Sequence, residues 1–122
     1  MDTVRLPYPP LIRRAAAIIA ALLALLIAYF SLVPPGETPA PQISDKIRHF
    51  GAYAMLAIPT AMWLAPRRIV PAVVVAIWGI AMEIAQGLAG TGREASLIDA
   101  LANTLGACAG VLLVWIIARR RR

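Results

Sequence analysis

Residues 13–33 read Arg-Arg-Ala-Ala-Ala-Ile-Ile-Ala-Ala-Leu-Leu-Ala-Leu-Leu-Ile-Ala-Tyr-Phe-Ser-Leu-Val, two arginines followed by a run that carries no charge. As a helix rising about 1.5 Å per residue, the stretch from Ala15 to Val33 is long enough to cross about 30 Å of hydrocarbon. A secretory signal has a shorter apolar stretch of about 7–15 residues, so this one is expected to be retained as a transmembrane helix. Pro34, Pro35, Gly36, Pro39 and Pro41 then stop it, because proline lacks a backbone donor and disfavours helical geometry in the residue before it.

The whole chain has the same character. Of its 122 residues, 61% are hydrophobic and 15% charged, against about a quarter charged in soluble domains. So little polar surface cannot clothe a water-soluble globule, and lipid must supply part of the solvent. Three further apolar segments follow. Ser44 is placed to cap a helix from Asp45 to Leu64, with Pro59 in its interior to be accommodated or to kink it. A connection containing Pro66, Arg67 and Arg68 leads to a helix from Ile69 to Leu88. Gly87, Gly90 and Gly92 mark a short loop before a helix from Leu97 to Ala118, and Arg119–Arg122 close the chain. The expected fold is an all-α integral membrane protein, a bundle of four transmembrane helices spanning residues 15–118. A cytoplasmic segment, 1–14, precedes it and a basic cytoplasmic tail, 119–122, follows.

Orientation follows from the arginines. Arg5, Arg13 and Arg14 precede the first span, Arg67 and Arg68 lie between the second and third, and four arginines end the chain. The other two loops mix Glu37, Asp45, Lys46 and Arg48, or Arg93 and Glu94, and are nearly balanced. Positive-inside bias therefore predicts both termini and the middle loop in the cytoplasm. The net charge of +6 is explained by these clusters at the ends of apolar runs, so nucleic acid is not an expected partner. Cys108 stands alone in an apolar segment and reads as a buried structural thiol.

Ionisable groups within membrane spans are costly and are functional hypotheses until a partner explains them. Here they are grouped. Asp45, His49 and Tyr53 recur at four-residue spacing on one helix face. Glu83 and Gln86 share a face near the end of the third helix. Ser96, Asp99 and Asn103 share a face at the start of the fourth, continued by Gly106 and Gly110. The topology brings all three sets to the extracytoplasmic side, where Arg93, Lys46 and Arg48 supply positive charge. An outward-opening polar pocket is the inference.

Structural readings stand beside it. Ser96 and Asp99 have the spacing of a helix start. Gly106 and Gly110 have the GxxxG spacing of close helix packing, which Asn103 would support with an interhelical hydrogen bond; the same face would admit a second copy of the chain. Tyr53 suits packing or an aromatic belt, Lys46 and Arg48 suit interfacial snorkelling, and Trp63, Trp78 and Trp115 need no special role. Glu83 is the sharpest residue, being protonated, paired with Arg93 or His49, or acting as acid or base. Asp45 is placed to orient His49 as a base or a metal ligand. Two carboxylates and one histidine without an HExxH spacing are nevertheless too little to predict a metal, and no cofactor is expected.

The segments Ser44-Asp-Lys-Ile-Arg-His-Phe-Gly-Ala-Tyr53, Glu83-Ile-Ala-Gln86 and Gly92-Arg-Glu-Ala-Ser-Leu-Ile-Asp99, with Asn103 and Gly106, resemble the VanZ-like membrane family. Its pattern runs roughly D-K-x-x-H-F-x-x-Y, E-x-x-Q and R-x-x-S-x-x-D-x-x-x-N-x-x-G. The likeness extends from about Asp45 to Gly110. It implies a compact multi-helix protein of a bacterial cytoplasmic membrane, in a family whose founding member is associated with resistance to the glycopeptide teicoplanin.

Three functions are consistent with these residues. In the first, an envelope protein binds an amphiphile: a membrane lipid, a lipid-linked cell-wall intermediate or a lipoglycopeptide such as teicoplanin. Arg93 and Lys46 would meet phosphate or carboxylate, and Asp45, Glu83, Asp99 and Asn103 hydroxyl and amino groups, with His49, Tyr53, Gln86 and Ser96 completing the site. In the second, an enzyme uses Glu83, His49 and Asp99 for acid–base chemistry on a lipid-linked substrate, with Arg93 stabilising an anion. A small transporter is the third, for which no polar stripe reaches the cytoplasmic side.

Overall fold

The computed structural model describes residues 7–34 and 45–121. Among them it contains four α-helices and no strand: α1 (Pro10–Leu32), α2 (Asp45–Trp63), α3 (Ile69–Leu88) and α4 (Leu97–Arg120). The expected capping role of Ser44 lies outside the described residues.

Helix limits follow the chemistry at each end. Pro10 opens α1 at a position where its missing N–H is not needed. Both α1 and α4 extend past the apolar runs to include Arg13 and Arg14, or Arg119 and Arg120, because a long arginine stem can remain on a helix while its charge reaches water. Ser96 caps α4, its Oγ accepting a 3.2 Å bond from the Asp99 N–H. Positive φ at Gly90 (65°) and Gly92 (81°) turns the chain between α3 and α4. Pro59 is accommodated within α2, where it is buried beside Thr60, whose hydroxyl donates to the Leu56 carbonyl at 2.7 Å.

α1, α3 and α4 are each long and apolar enough to cross a membrane; α2 is not among them. Its 19 residues begin with Asp45, Lys46, Arg48 and His49. Yet α2 is central to the packing. It lies most extensively against α4, with α1 and α3 flanking. Its buried residues Tyr53, Leu56, Ala57, Thr60 and Ala61 follow the i, i+3, i+4, i+7 stripe of a helix that faces partners on one side.

The core is built from Ala20, Tyr53, Leu56, Ala57, Ala61, Val75, Ala107 and Val111. Most large aliphatic side chains point outward instead, Leu25 and Leu88 at 64% and 81% exposure among them. That much outward apolar surface fits a helix bundle embedded in a membrane. Cys108 belongs to it: the thiol expected to be buried is exposed, because the inward stripe of α4 passes through Ala107 and Val111 and leaves Cys108 on the far side.

Small residues set the helix spacing. A Cβ added at Gly106 would collide with the Phe50 carbonyl, and one at Gly110 with the Ala54 carbonyl. The GxxxG pair thus lets α2 and α4 touch backbone to backbone. This occupies the face that the sequence also offered to a homo-oligomer. Gly106 and Gly110 are buried under α2.

Candidate functional site

The start of α2, the end of α3 and the start of α4 meet at one end of the bundle and bring Asp45, Lys46, His49, Glu83, Ser96, Asp99 and Asn103 together. His49 is the hub. Its Nδ1 lies 2.9 Å from Asn103 Oδ1 and 3.9 Å from Glu83 Oε1. Its Nε2 lies 3.7 Å from Asp45 Oδ2 and 3.6 Å from Asp99 Oδ2. Lys46 bonds Asp99 Oδ1 directly and lies 3.8 Å from Asp45.

Each acid has a local reason to be tolerated. Glu83 is 4% exposed, and its Oε2 accepts the Ser96 backbone N–H at 2.9 Å. Ser96 is the N-cap of α4, so Glu83 faces the positive end of that helix, as does Asp99 in its first turn. The sequence left Glu83 a choice between Arg93 and His49. The structure places His49 near it and leaves Arg93 out: among the described residues Arg93 forms no ion pair, and its Nε is buried without an acceptor.

Tyr53 and Gln86 are buried on the predicted faces but join none of these bonds. Tyr53 is core packing, and at 2% exposure it does not form an aromatic belt. Asn103 is 1% exposed, and its Nδ2 has no acceptor. A residue absent from the sequence reading, Gly79, lets α3 close on this site: a Cβ there would lie 3.0 Å from both Asn103 Cβ and Tyr53 Cε1. The available signal was a glycine in the interior of α3 four residues before Glu83, hence on the same face.

The hydrogen-bond pattern defines what the site accepts. An amide oxygen can only accept, so His49 Nδ1 carries a proton and donates to Asn103. In the neutral imidazole Nε2 then presents a lone pair, and the nearest groups to it are two carboxylates. The two carboxylates are acceptors facing one another, and the Lys46 ammonium, bonded to Asp99 and 3.8 Å from Asp45, is the cation that stands beside them. Asp45, His49 and Asp99 offer ligand atoms within 4.8 Å of one another and could hold a metal ion, although the Lys46 ammonium already occupies one Asp99 oxygen. The site reaches the surface through the half-exposed Lys46 side chain and the Asp45 carboxylate. No protein-family model matches the chain, and neither a curated protein nor a solved structure is significantly similar to it.

Proposed function

We propose that the chain is a VanZ-like, four-span protein of a bacterial cytoplasmic membrane, with both termini cytoplasmic, and that the His49 cluster receives the polar head of an amphiphile from the outer side. As a fourth span, α2 would be about 28 Å long, with its charged first turn at the interface. The order and spacing of the Asp45–Tyr53, Glu83–Gln86 and Arg93–Gly106 elements support the family reading. The arginine distribution supports the orientation.

One observation carries the site reading. The Asp45 and Asp99 carboxylates converge on His49 Nε2, with Asp45 exposed at the surface, in a bundle whose outer surface is apolar. Such a site favours hydroxyl or amino groups, and the surrounding apolar helices favour an attached acyl or prenyl chain. Lys46 is committed to Asp99 and Asp45, so phosphate or carboxylate recognition by Lys46 fits less well than recognition of donors by the acids.

Native mass spectrometry of the detergent-purified protein tests this, comparing wild type with Asp45→Asn/Glu83→Gln. A discrete bound lipid or lipid-linked mass present only on wild type supports the receptor. Identical non-specific adducts on both proteins would make the cluster helix glue and end the ligand reading.

An acid–base enzyme is the second reading, favoured by carboxylates within 4 Å of both His49 nitrogens. Glu83→Gln separates the two readings, because it preserves shape while removing a proton acceptor. Full turnover of an identified substrate by this variant would eliminate Glu83 as acid or base.

A further inference from the structure

A second site lies at the opposite end of the bundle, where a groove runs between the segment before α1, the end of α2 with its following loop, and the last turns of α4. Its wall includes buried Ala61 and Val111, and its rim carries Arg67, Arg68 and Arg119. Two of these arginines lie over the ring of Trp115. The guanidinium carbons of Arg68 and Arg119 are 4.4 Å and 5.1 Å from the centre of its ring.

This arrangement is unbalanced in two respects. Two like charges share one indole, and among the described residues no carboxylate lies within ion-pair distance of Arg67, Arg68 or Arg119. The Trp115 Nε1–H is buried and lacks an acceptor. An anion bearing several acceptor oxygens would relieve the repulsion between the guanidiniums, and planar guanidinium groups pair with phosphate through two parallel bonds. The apolar wall calls for a hydrocarbon chain on the same molecule.

We propose that this groove binds the phosphate-bearing head of an anionic membrane lipid, with an acyl chain along the Ala61–Val111 wall. The commitment to a lipid rests on position: the groove lies beside the start of α1 and the end of α4, both apolar enough to span a membrane, where basic pockets meet anionic headgroups. It does not depend on the His49 cluster binding anything.

The test is native mass spectrometry of the full chain with phosphatidylglycerol and phosphatidylcholine of the same acyl composition. Wild type is expected to hold phosphatidylglycerol about tenfold more tightly, or about 1.4 kcal/mol. Arg68→Gln/Arg119→Gln should reduce this preference to about twofold or less. Arg120→Gln/Arg121→Gln, which removes equal charge from the same end outside the groove, should preserve it. Equal losses in both double variants would mean diffuse attraction and overturn the site. Displacement of the lipid by millimolar inorganic phosphate would overturn the commitment to a lipid. A second measurement does not rely on the arginine variants folding. In Trp63→Phe/Trp78→Phe, which leaves Trp115 as the sole indole, brominated phosphatidylglycerol should quench fluorescence more than brominated phosphatidylcholine. Equal quenching by the two lipids would overturn the proposal.

Discussion

At one end of the bundle, three carboxylates, an ammonium and an imidazole lie within bonding or near-bonding distance of one another. At the other, three guanidiniums surround a groove without a carboxylate partner among the described residues. The carboxylate end is compensated from within: α2 contributes Lys46 and His49, α4 contributes Asp99 and Asn103, and α3 contributes Glu83. Its polar groups therefore join helices as well as offering a site. The arginine end leaves its charge directed outside the chain. Substitutions at the first end should register chiefly as lost stability, and substitutions at the second as altered binding with little loss of stability.

The largest effect should come from the glycines that allow the carboxylate end to assemble. At Gly106 a side chain meets the Phe50 backbone carbonyl, which cannot rotate away as a side chain could. Gly106→Val is expected to destabilise the bundle by about 3 kcal/mol, the upper range for overpacking. Thermal unfolding in detergent, followed by circular dichroism, would read the change; an unchanged transition would mean that α2 and α4 do not cross this closely. Next in size is Asn103→Leu, which removes the acceptor of His49 Nδ1 inside a buried site. Leaving that donor unpaired should cost about 2 kcal/mol. The comparison fails if this variant unfolds like wild type.

The helices were legible in the sequence because proline, glycine and charge punctuate the apolar runs. The limits of α3 at Ile69 and Leu88 match the expectation. Those of α1 and α4 differ where arginines remain helical. The carboxylate end was legible for the same local reason: Asp45 and His49, or Asp99 and Asn103, share a helix face at a spacing fixed by the backbone. Which residue meets which across helices was not legible. That depends on close approaches at Gly79, Gly106 and Gly110, and it decided for His49 over Arg93 as the neighbour of Glu83. The arginine groove was obscured differently. Its arginines already had an explanation as topology signals, and only the convergence of the α3 start with the α4 end places Arg68 over Trp115.

Ser96→Ala isolates a smaller contribution at the carboxylate end. It removes the hydroxyl that caps α4 but preserves the backbone N–H donated to Glu83. A loss of about 1 kcal/mol is expected, typical of a helix cap. A much larger loss would show that the hydroxyl supports the whole His49 network rather than one helix end.

The smallest effect on stability is expected from Arg68→Gln. Its guanidinium gains from the Trp115 ring, by about 0.5–1 kcal/mol for an exposed cation–π contact. Arg119 brings a second positive charge to the same ring, and losing that repulsion offsets part of what the contact provides. Net destabilisation should therefore stay below about 0.5 kcal/mol, and adding salt should widen the difference from wild type, because screening the repulsion stabilises only the protein that carries both charges. Unfolding measured in a zwitterionic detergent at low and high salt tests both parts. A loss comparable to Asn103→Leu would mean that the arginine end also holds the fold together, and the contrast between an internally compensated end and an outward-directed one would no longer stand.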